Sequence, residues 1–363
     1  MFVNFNILYI LFFATSFVLS VFLTPKIRQF ALKNNIIDQP ELNVGRKIQE
    51  KPIPLLGGLA VYLSFLTTLL VAWGFGFLTD GRITANQILA IIFGGLAIIL
   101  IGFLDDKYNI HTKSFFGPLL AGTLAVALGI AIKYVTNPFI SGTGPYGRAL
   151  FYFSDWLGPV FSFFWLLGMM YTTKFLDGLD GLVSGIGAIG AVILFIVSLF
   201  WDVAQSGTSI MCLILTGSLL GFLRYNWHPA KIFLGESGSV FIGFMLGVLS
   251  IISGGKIATA LLIMGIPILD VVWVIFRRVF KEKKSPFAGD NKHLHFRLLK
   301  AGFSHRSAVL FLYFLTLVFG SSSLFLQSKN KVIALAFLIV VMLTLAAALV
   351  FSYKKTNREN LHG

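Results

Sequence analysis

"KFLDGLDGLVSGIGAIGAVILFIVSLF", residues 174–200, opens with two aspartates, Asp177 and Asp180, each followed by glycine, and then runs twenty residues without a charge. A helix crosses the hydrocarbon core of a bilayer in about 20 apolar residues. The stretch therefore reads as a membrane span with carboxylates at its mouth. The residues before it, 156–173, are equally apolar. A pair of spans joined by an acidic turn is the pattern to look for elsewhere.

It recurs along the chain. Apolar runs fall at 4–24, 55–77, 86–104, 114–133, 156–173, 181–200, 208–223, 238–254, 257–276, 306–327 and 332–353, eleven in all. Composition agrees: 56% of the 363 residues are hydrophobic, only 12% are charged and the mean hydropathy is +0.85. Soluble domains carry roughly twice that charged fraction. A transmembrane barrel would show alternating segments of about ten residues, and none occur. The expected fold is an all-α polytopic integral membrane protein of about eleven helices, a single transmembrane domain spanning residues 1–363. The first run has no basic residue in its leading MFVNFN and exceeds the length of a usual signal core, so a retained helix is expected. Cys212 lies alone inside the seventh run, which excludes an internal disulfide.

The net charge of +14 is not spread evenly. One set of alternate loops and its edges, with the C-terminal tail, holds 23 of the 29 Lys and Arg. By the positive-inside rule that set faces the cytoplasm, which puts the N-terminus outside and the C-terminus inside. The basic excess thus reads as membrane orientation and attraction for anionic lipid or substrate, not as nucleic-acid binding.

Polar chemistry gathers on the same side. Loops 25–54, 105–113, 174–180, 224–237 and 277–305 carry "KPIPLLGG", "FLDDKYNIHTK", "KFLDGLDG", "RYNWHPAKIFLGESGS" and "SPFAGDNKHLHFRLLKAGFSHR". Each has a plain explanation when taken singly. Asp105 and Asp106 can be a solvated helix end, Asp177 and Asp180 a turn, Glu236 part of a helix start capped by Ser237 or Ser239, and the histidines interfacial. Five such clusters on one face point instead to one active site built from several loops. Asp177-Gly-Leu-Asp180-Gly lacks the spacing and closing Glu of a calcium loop. His293 and His295 have no cysteine nearby to complete a zinc site. Carboxylates without soft ligands favour Mg²⁺ or Mn²⁺, which binds through one or two acids plus substrate phosphates. Lys51, Lys113, Lys231 and Arg297 can neutralise a diphosphate, and the pair Gly57–Gly58 is expected to let backbone approach a ligand.

At these residues the chain resembles the polyprenyl-phosphate N-acetylhexosamine-1-phosphate transferases, in consistent order over about residues 45–310. "PIPLLGGLAVYL" is similar to the family's Pro-x-x-Gly-Gly entry to the second helix and "GFLDDKYNI" to its aspartate pair. "KFLDGLDGL" resembles Asn-x-x-Asp-Gly-x-Asp-Gly, "RYNWHPAKIFLGESGS" the segment ending Gly-Asp-x-Gly-Ser, and "HLHFRLL" the histidine motif. The resemblance implies that a polyprenyl phosphate attacks the β-phosphorus of a UDP-sugar, releasing UMP, in the first membrane step of cell-surface polysaccharide synthesis. It implies catalytic Asp105 and Asp106 at the lipid phosphate, and Asp177, Asp180 and Glu236 at Mg²⁺ (or Mn²⁺). It assigns substrate contacts to Lys51, Lys113, Lys174, Asn226, His293, His295 and Arg297. The implied partners are polyprenyl phosphate, a UDP-sugar and the cell membrane itself, with a homodimer left open and the active site cytoplasmic.

Three positions depart from the family pattern: Lys174 replaces an asparagine, Glu236 an aspartate and Phe296 a histidine. They put the metal coordination in question, not the reaction class. Asp270 in "PILDVVWVIFRR" lies about two turns inside the ninth run, where an unpaired charge costs roughly 2.5–3.5 kcal/mol. That Pro-x-x-Asp, "HLHFR" in place of three consecutive histidines, and eleven spans resemble the N-acetylhexosamine branch. The phospho-N-acetylmuramoyl-pentapeptide branch is the alternative. A transporter, which places acids near the bilayer midplane in repeated halves, is disfavoured because only Asp270 lies within a run and no repeat is visible.

Overall fold

A computed structural model describes residues 7–38, 52–78, 83–108, 110, 114–144, 148–201, 207–254, 256–283, 293–326 and 328–362. Lys51 and Lys113 lie outside the described residues. The apolar runs fold as helices: α1 (Ile7–Lys33), α2 (Gly57–Gly74), α3 (Ala85–Tyr108), α4 (Phe116–Ala127), α5 (Leu157–Leu176), α6 (Leu182–Trp201), α7 (Gly207–Asn226), α8 (Gly235–Ile252), α9 (Ile257–Phe276), α10 (Leu294–Lys300), α11 (His305–Phe325) and α12 (Ser328–His362). Among the described residues nine helices are long and apolar enough to cross a membrane. A polytopic helical membrane protein is what the sequence led us to expect.

Two of the eleven expected spans differ. The 12 residues of α4 reach about 18 Å at 1.5 Å per residue, short of the roughly 30 Å hydrocarbon core. The chain leaves α4 over Gly129, whose φ of +90° suits glycine and strains other residues. It then forms an antiparallel hairpin. Tyr134 and Val135 in one strand pair with Tyr152 and Phe151 in the other, the aromatic and β-branched types that suit a pleated surface. The second exception, α5, has a span's length, but Trp165, Tyr171, Thr172, Thr173 and Lys174 dilute its hydropathy. A second small sheet pairs Ile37–Asp38 with Ile53–Pro54.

Buried side chains form one cluster running from Tyr9 to Met342. Its axis is α8, buried over 89% of its span against 6% for the span in α12. Around α8 pack α2, α3, α5 and α6. Without a hydrophobic drive between helices in lipid, close packing needs small residues at the contacts. Here α2 and α8 meet at Gly58 and Gly238, α3 and α8 at Gly102 and Ser237, and α5 and α8 at Thr173 and Gly243. The pair Gly57–Gly58 therefore serves helix packing and not ligand approach. Its backbone N–H groups donate to Phe233 O and Leu234 O at 2.9 and 2.7 Å, and a side chain at Gly57 would strike the Phe222 ring. This contact fixes the entrance of α8, where the acids gather.

Candidate active site

Up-and-down helices alternate their polar ends. The C-terminal ends of α3, α5 and α7 and the starts of α6, α8, α10 and α11 lie together, linked by side-chain contacts between them. Asp105 and Asp106 sit in the last turn of α3, Lys174 in the last turn of α5, Asp177 just after it, and Glu236 in the first turn of α8. All five are brought together. Asp105, Asp177 and Glu236 are close enough to Asp106 for their charges to act on it.

The start of α8 explains how. Leu234, at its N-cap, offers no side-chain cap. Asp106 supplies one from α3, accepting from Glu236 N at 3.3 Å, so a carboxylate meets the positive end of a helix. Gly235 precedes it at φ +76°, and a Cβ there would lie 2.6 Å from Asp106 Oδ2. That glycine is required twice over, by its backbone and by the carboxylate against it. Glu236 is paired: its Oε1 takes the Lys174 ammonium at 2.6 Å, and Lys174 also donates to Ser114 Oγ at 3.1 Å. Two of the three departures from the family pattern, Lys174 and Glu236, are thus each other's partners.

Asp177 is exposed, at the turn between α5 and α6. Partial loss of bulk water, with the charge of Asp180 beside it, pushes its carboxyl above the ordinary carboxylate range. Gly178 follows because the ring of His295 lies against its Cα, where a side chain would collide.

Asp180 is occupied otherwise. Its Oδ2 meets His228 Nδ1 at 2.7 Å and accepts from Ala230 N at 3.1 Å, while its own N–H donates to His305 Nε2 at 2.9 Å. The His228 and His305 rings stack at 3.9 Å. The three ligand atoms lie within 4.8 Å of one another, near enough to hold an ion. The carboxylate–His228 contact and the bond from Asp180 N–H to His305 also tie the Asp-Gly turn to α11 and to the loop before α8. Asp180, expected at a metal, is a member of this trio of possible ligands. His228 and His305 went unassigned in the sequence, although "WHPAK" and "SHR" display them.

Asn226 is also structural here. It is buried, its Oδ1 accepts from Gly181 N and Ser184 Oγ at 3.1 and 3.0 Å, and its amide donates to Ile232 O at 3.1 Å. Where a sugar-nucleotide contact was expected, these bonds make Asn226 a brace between α6 and α7. His293 stands at the N-cap position of α10 and pairs with Asp270, Nδ1 to Oδ2 at 2.8 Å. His295 is 1% exposed, and among the described residues neither ring nitrogen has a partner. Burial first, then His293 and His305, push it down to about 3, so it stays a neutral ring packed behind the Asp177 turn instead of a phosphate contact. Arg297 is half-buried on α10.

The fit of a divalent cation can be tested on the donors present. Among the described residues Asp106 Oδ2 is buried with no hydrogen-bond partner, an orphan acceptor beside Glu236 and Asp177. Uncompensated buried carboxylate oxygens are costly, and a hard, oxygen-seeking cation satisfies them. Asp106, Asp177 and Glu236 fit such an ion.

Comparison with known proteins bears on the family. Residues 88–254 match the model of glycosyl transferase family 4. A Bacillus subtilis (strain 168) protein described as a probable undecaprenyl-phosphate N-acetylglucosaminyl 1-phosphate transferase is 31% identical, over 91% of this chain and 88% of its own. The decaprenyl-phosphate N-acetylglucosaminephosphotransferase of Mycolicibacterium smegmatis is 31% identical over 91% and 86%. The undecaprenyl-phosphate α-N-acetylglucosaminyl 1-phosphate transferase of Escherichia coli (strain K12) is 28% identical over 77% and 74%.

Proposed function

The chain belongs to the family of polyprenyl-phosphate N-acetylglucosamine-1-phosphate transferases within glycosyl transferase family 4, and from that premise we propose that it transfers N-acetylhexosamine-1-phosphate from a UDP-sugar to polyprenyl phosphate. An oxygen of the lipid phosphate forms a bond to the β-phosphorus, the bond from that phosphorus to UMP breaks, and UMP leaves with the electron pair. The observation that carries this reading is the convergence of Asp105, Asp106, Asp177, Lys174 and Glu236 at one end of the bundle. A boundary site of that kind can receive a lipid from the bilayer and a nucleotide from water. The basic loop set supports a cytoplasmic mouth on the plasma membrane, with the N-terminus outside.

Each residue's task follows from its place. Asp105 and Asp106 orient the lipid phosphate and Asp105 accepts its remaining proton, a modest demand because a phosphate monoester loses its second proton near pH 6. Asp106, Asp177 and Glu236 would hold Mg²⁺ or Mn²⁺, which when bound supplies charge neutralisation for the phosphate oxygens. Lys174 offers a positive charge to the diphosphate, and His293 and Arg297 lie on α10 to meet it. Most of the catalysis is positioning and electrostatic stabilisation. The test is direct: purified protein, polyprenyl phosphate and a panel of UDP-sugars, with UMP release measured. UDP-N-acetylglucosamine should be turned over, and no UMP with any donor would refute the assignment.

A further inference from the structure

We propose that Asp270 is a positioning residue that fixes the ring and the proton of His293, leaving Nε2 as the one nitrogen that can meet a substrate phosphate. The proposal rests on the transferase reading for its consequence, but not for its geometry. Asp270 lies on α9 two turns from its end, with its side chain 11% exposed. Both carboxylate oxygens reach α10: Oδ2 meets His293 Nδ1 at 2.8 Å and Oδ1 accepts from Leu294 N at 2.9 Å. The backbone bond sets where α10 begins, and the ring bond sets how His293 faces. Phe175 from α5 stacks on the ring at 6.0 Å and 20°, and the His295 ring lies parallel to it at 5.7 Å. The ring is therefore gripped on its plane and at one edge.

A carboxylate can only accept, so Nδ1 must carry a proton. The working atom is Nε2. With Asp270 holding Nδ1, Nε2 lies on the far side of the ring from the acid and is the atom left for a substrate. This arrangement explains why an acid is tolerated in a span, where an unpaired one would be costly. It also separates two histidines that look alike in "HLHFR": both are buried, at 5% and 1% exposed, but only His293 meets Asp270.

Asp270→Asn inverts the demand. Its amide oxygen can keep the Leu294 N–H, which turns the NH₂ donor toward Nδ1 and forces the lone proton onto Nε2. The six histidines of the chain make ¹⁵N-histidine NMR practicable, with His293 assigned by its loss in His293→Gln. Wild type should show Nδ1 protonated, and Asp270→Asn should show it unprotonated. In turnover, Asp270→Asn should lower kcat/KM on the order of 10²-fold, the cost of a misplaced group. In a His293→Gln background the same change should cost under about 3-fold, because the two act as one unit. A protonated Nε2 with bare Nδ1 in wild type would overturn the proposal, and that result needs no variant to fold. Equal losses in both backgrounds would also overturn it, leaving Asp270 as a prop for α10. If no donor is turned over at all, the transferase reading fails while the NMR result still decides the pair.

Discussion

Lys174 stands where relatives of this motif have an uncharged amide, and the structure shows what its charge does. The ammonium lies 2.6 Å from Glu236 Oε1, with the two side chains 24% and 16% exposed. A cation that takes Glu236 as a ligand must break or share that pair. Unit charges about 4 Å apart interact by roughly 4 kcal/mol at an effective dielectric of 20. The lysine can swing toward Ser114 or water, so we take about a third to two thirds of that as the repulsion remaining. Lys174→Asn should then tighten Mg²⁺ binding without substrate by about 10–100-fold, at 1.4 kcal/mol per decade. With a diphosphate between lysine and metal the sign reverses: the ammonium helps, and the variant should show a raised KM for the UDP-sugar. Calorimetric Mg²⁺ titration of both proteins, with and without UDP-sugar, reads both limbs. Unchanged metal affinity in both conditions would refute the reasoning and reduce the ion pair to a scaffold contact.

Four further outcomes are expected. Asp106→Asn and Asp105→Asn should each cut kcat by at least about 10²-fold, seen in UMP release at saturating substrates; near-normal turnover in both would make the pair a helix cap and no more. Glu236→Gln should remove most activity, and Glu236→Asp should lose activity too, since the shorter acid draws back from Lys174; full activity of the aspartate variant would show that the two positions are not matched. Asn226→Ala should lower thermal stability by about 1–3 kcal/mol through unsatisfied partners, with the KM for UDP-sugar little changed in the protein that folds; a large KM rise without loss of stability would restore it as a ligand contact. Exhaustive chelation should abolish UMP release and added Mg²⁺ or Mn²⁺ should restore it, so activity that survives chelation rules out the metal role.

Membrane helices were legible because their physics is one-dimensional: a run of about 20 apolar residues has few other fates. The short α4 and the hairpin after it were not, because Gly129 ends a helix inside a run that hydropathy alone reads as continuous. Spacing likewise exposed the acids as a group, since residues at successive loops on one face must share one end of the bundle. It could not say which way each carboxylate turns. Asp177 and Asp180 are equivalent in "DGLD", and only the packing of His228 and His305 separates them.

The same limit applied to the glycines. A glycine beside an acid reads as room for a ligand, yet here each has a protein neighbour. Gly178 clears the His295 ring, Gly235 clears Asp106, and Gly58 clears Gly238. The site is therefore set by contact between helices and not by flexible loops. Its acids hold their relative positions before any substrate arrives, which is the condition under which electrostatic stabilisation costs no reorganisation during the reaction. Lys174 is the exception, a long side chain able to exchange one anion for another. Acids held by helix contacts, with the long Lys174 side chain among them, suit a site that a metal and two phosphates must enter and one nucleotide must leave.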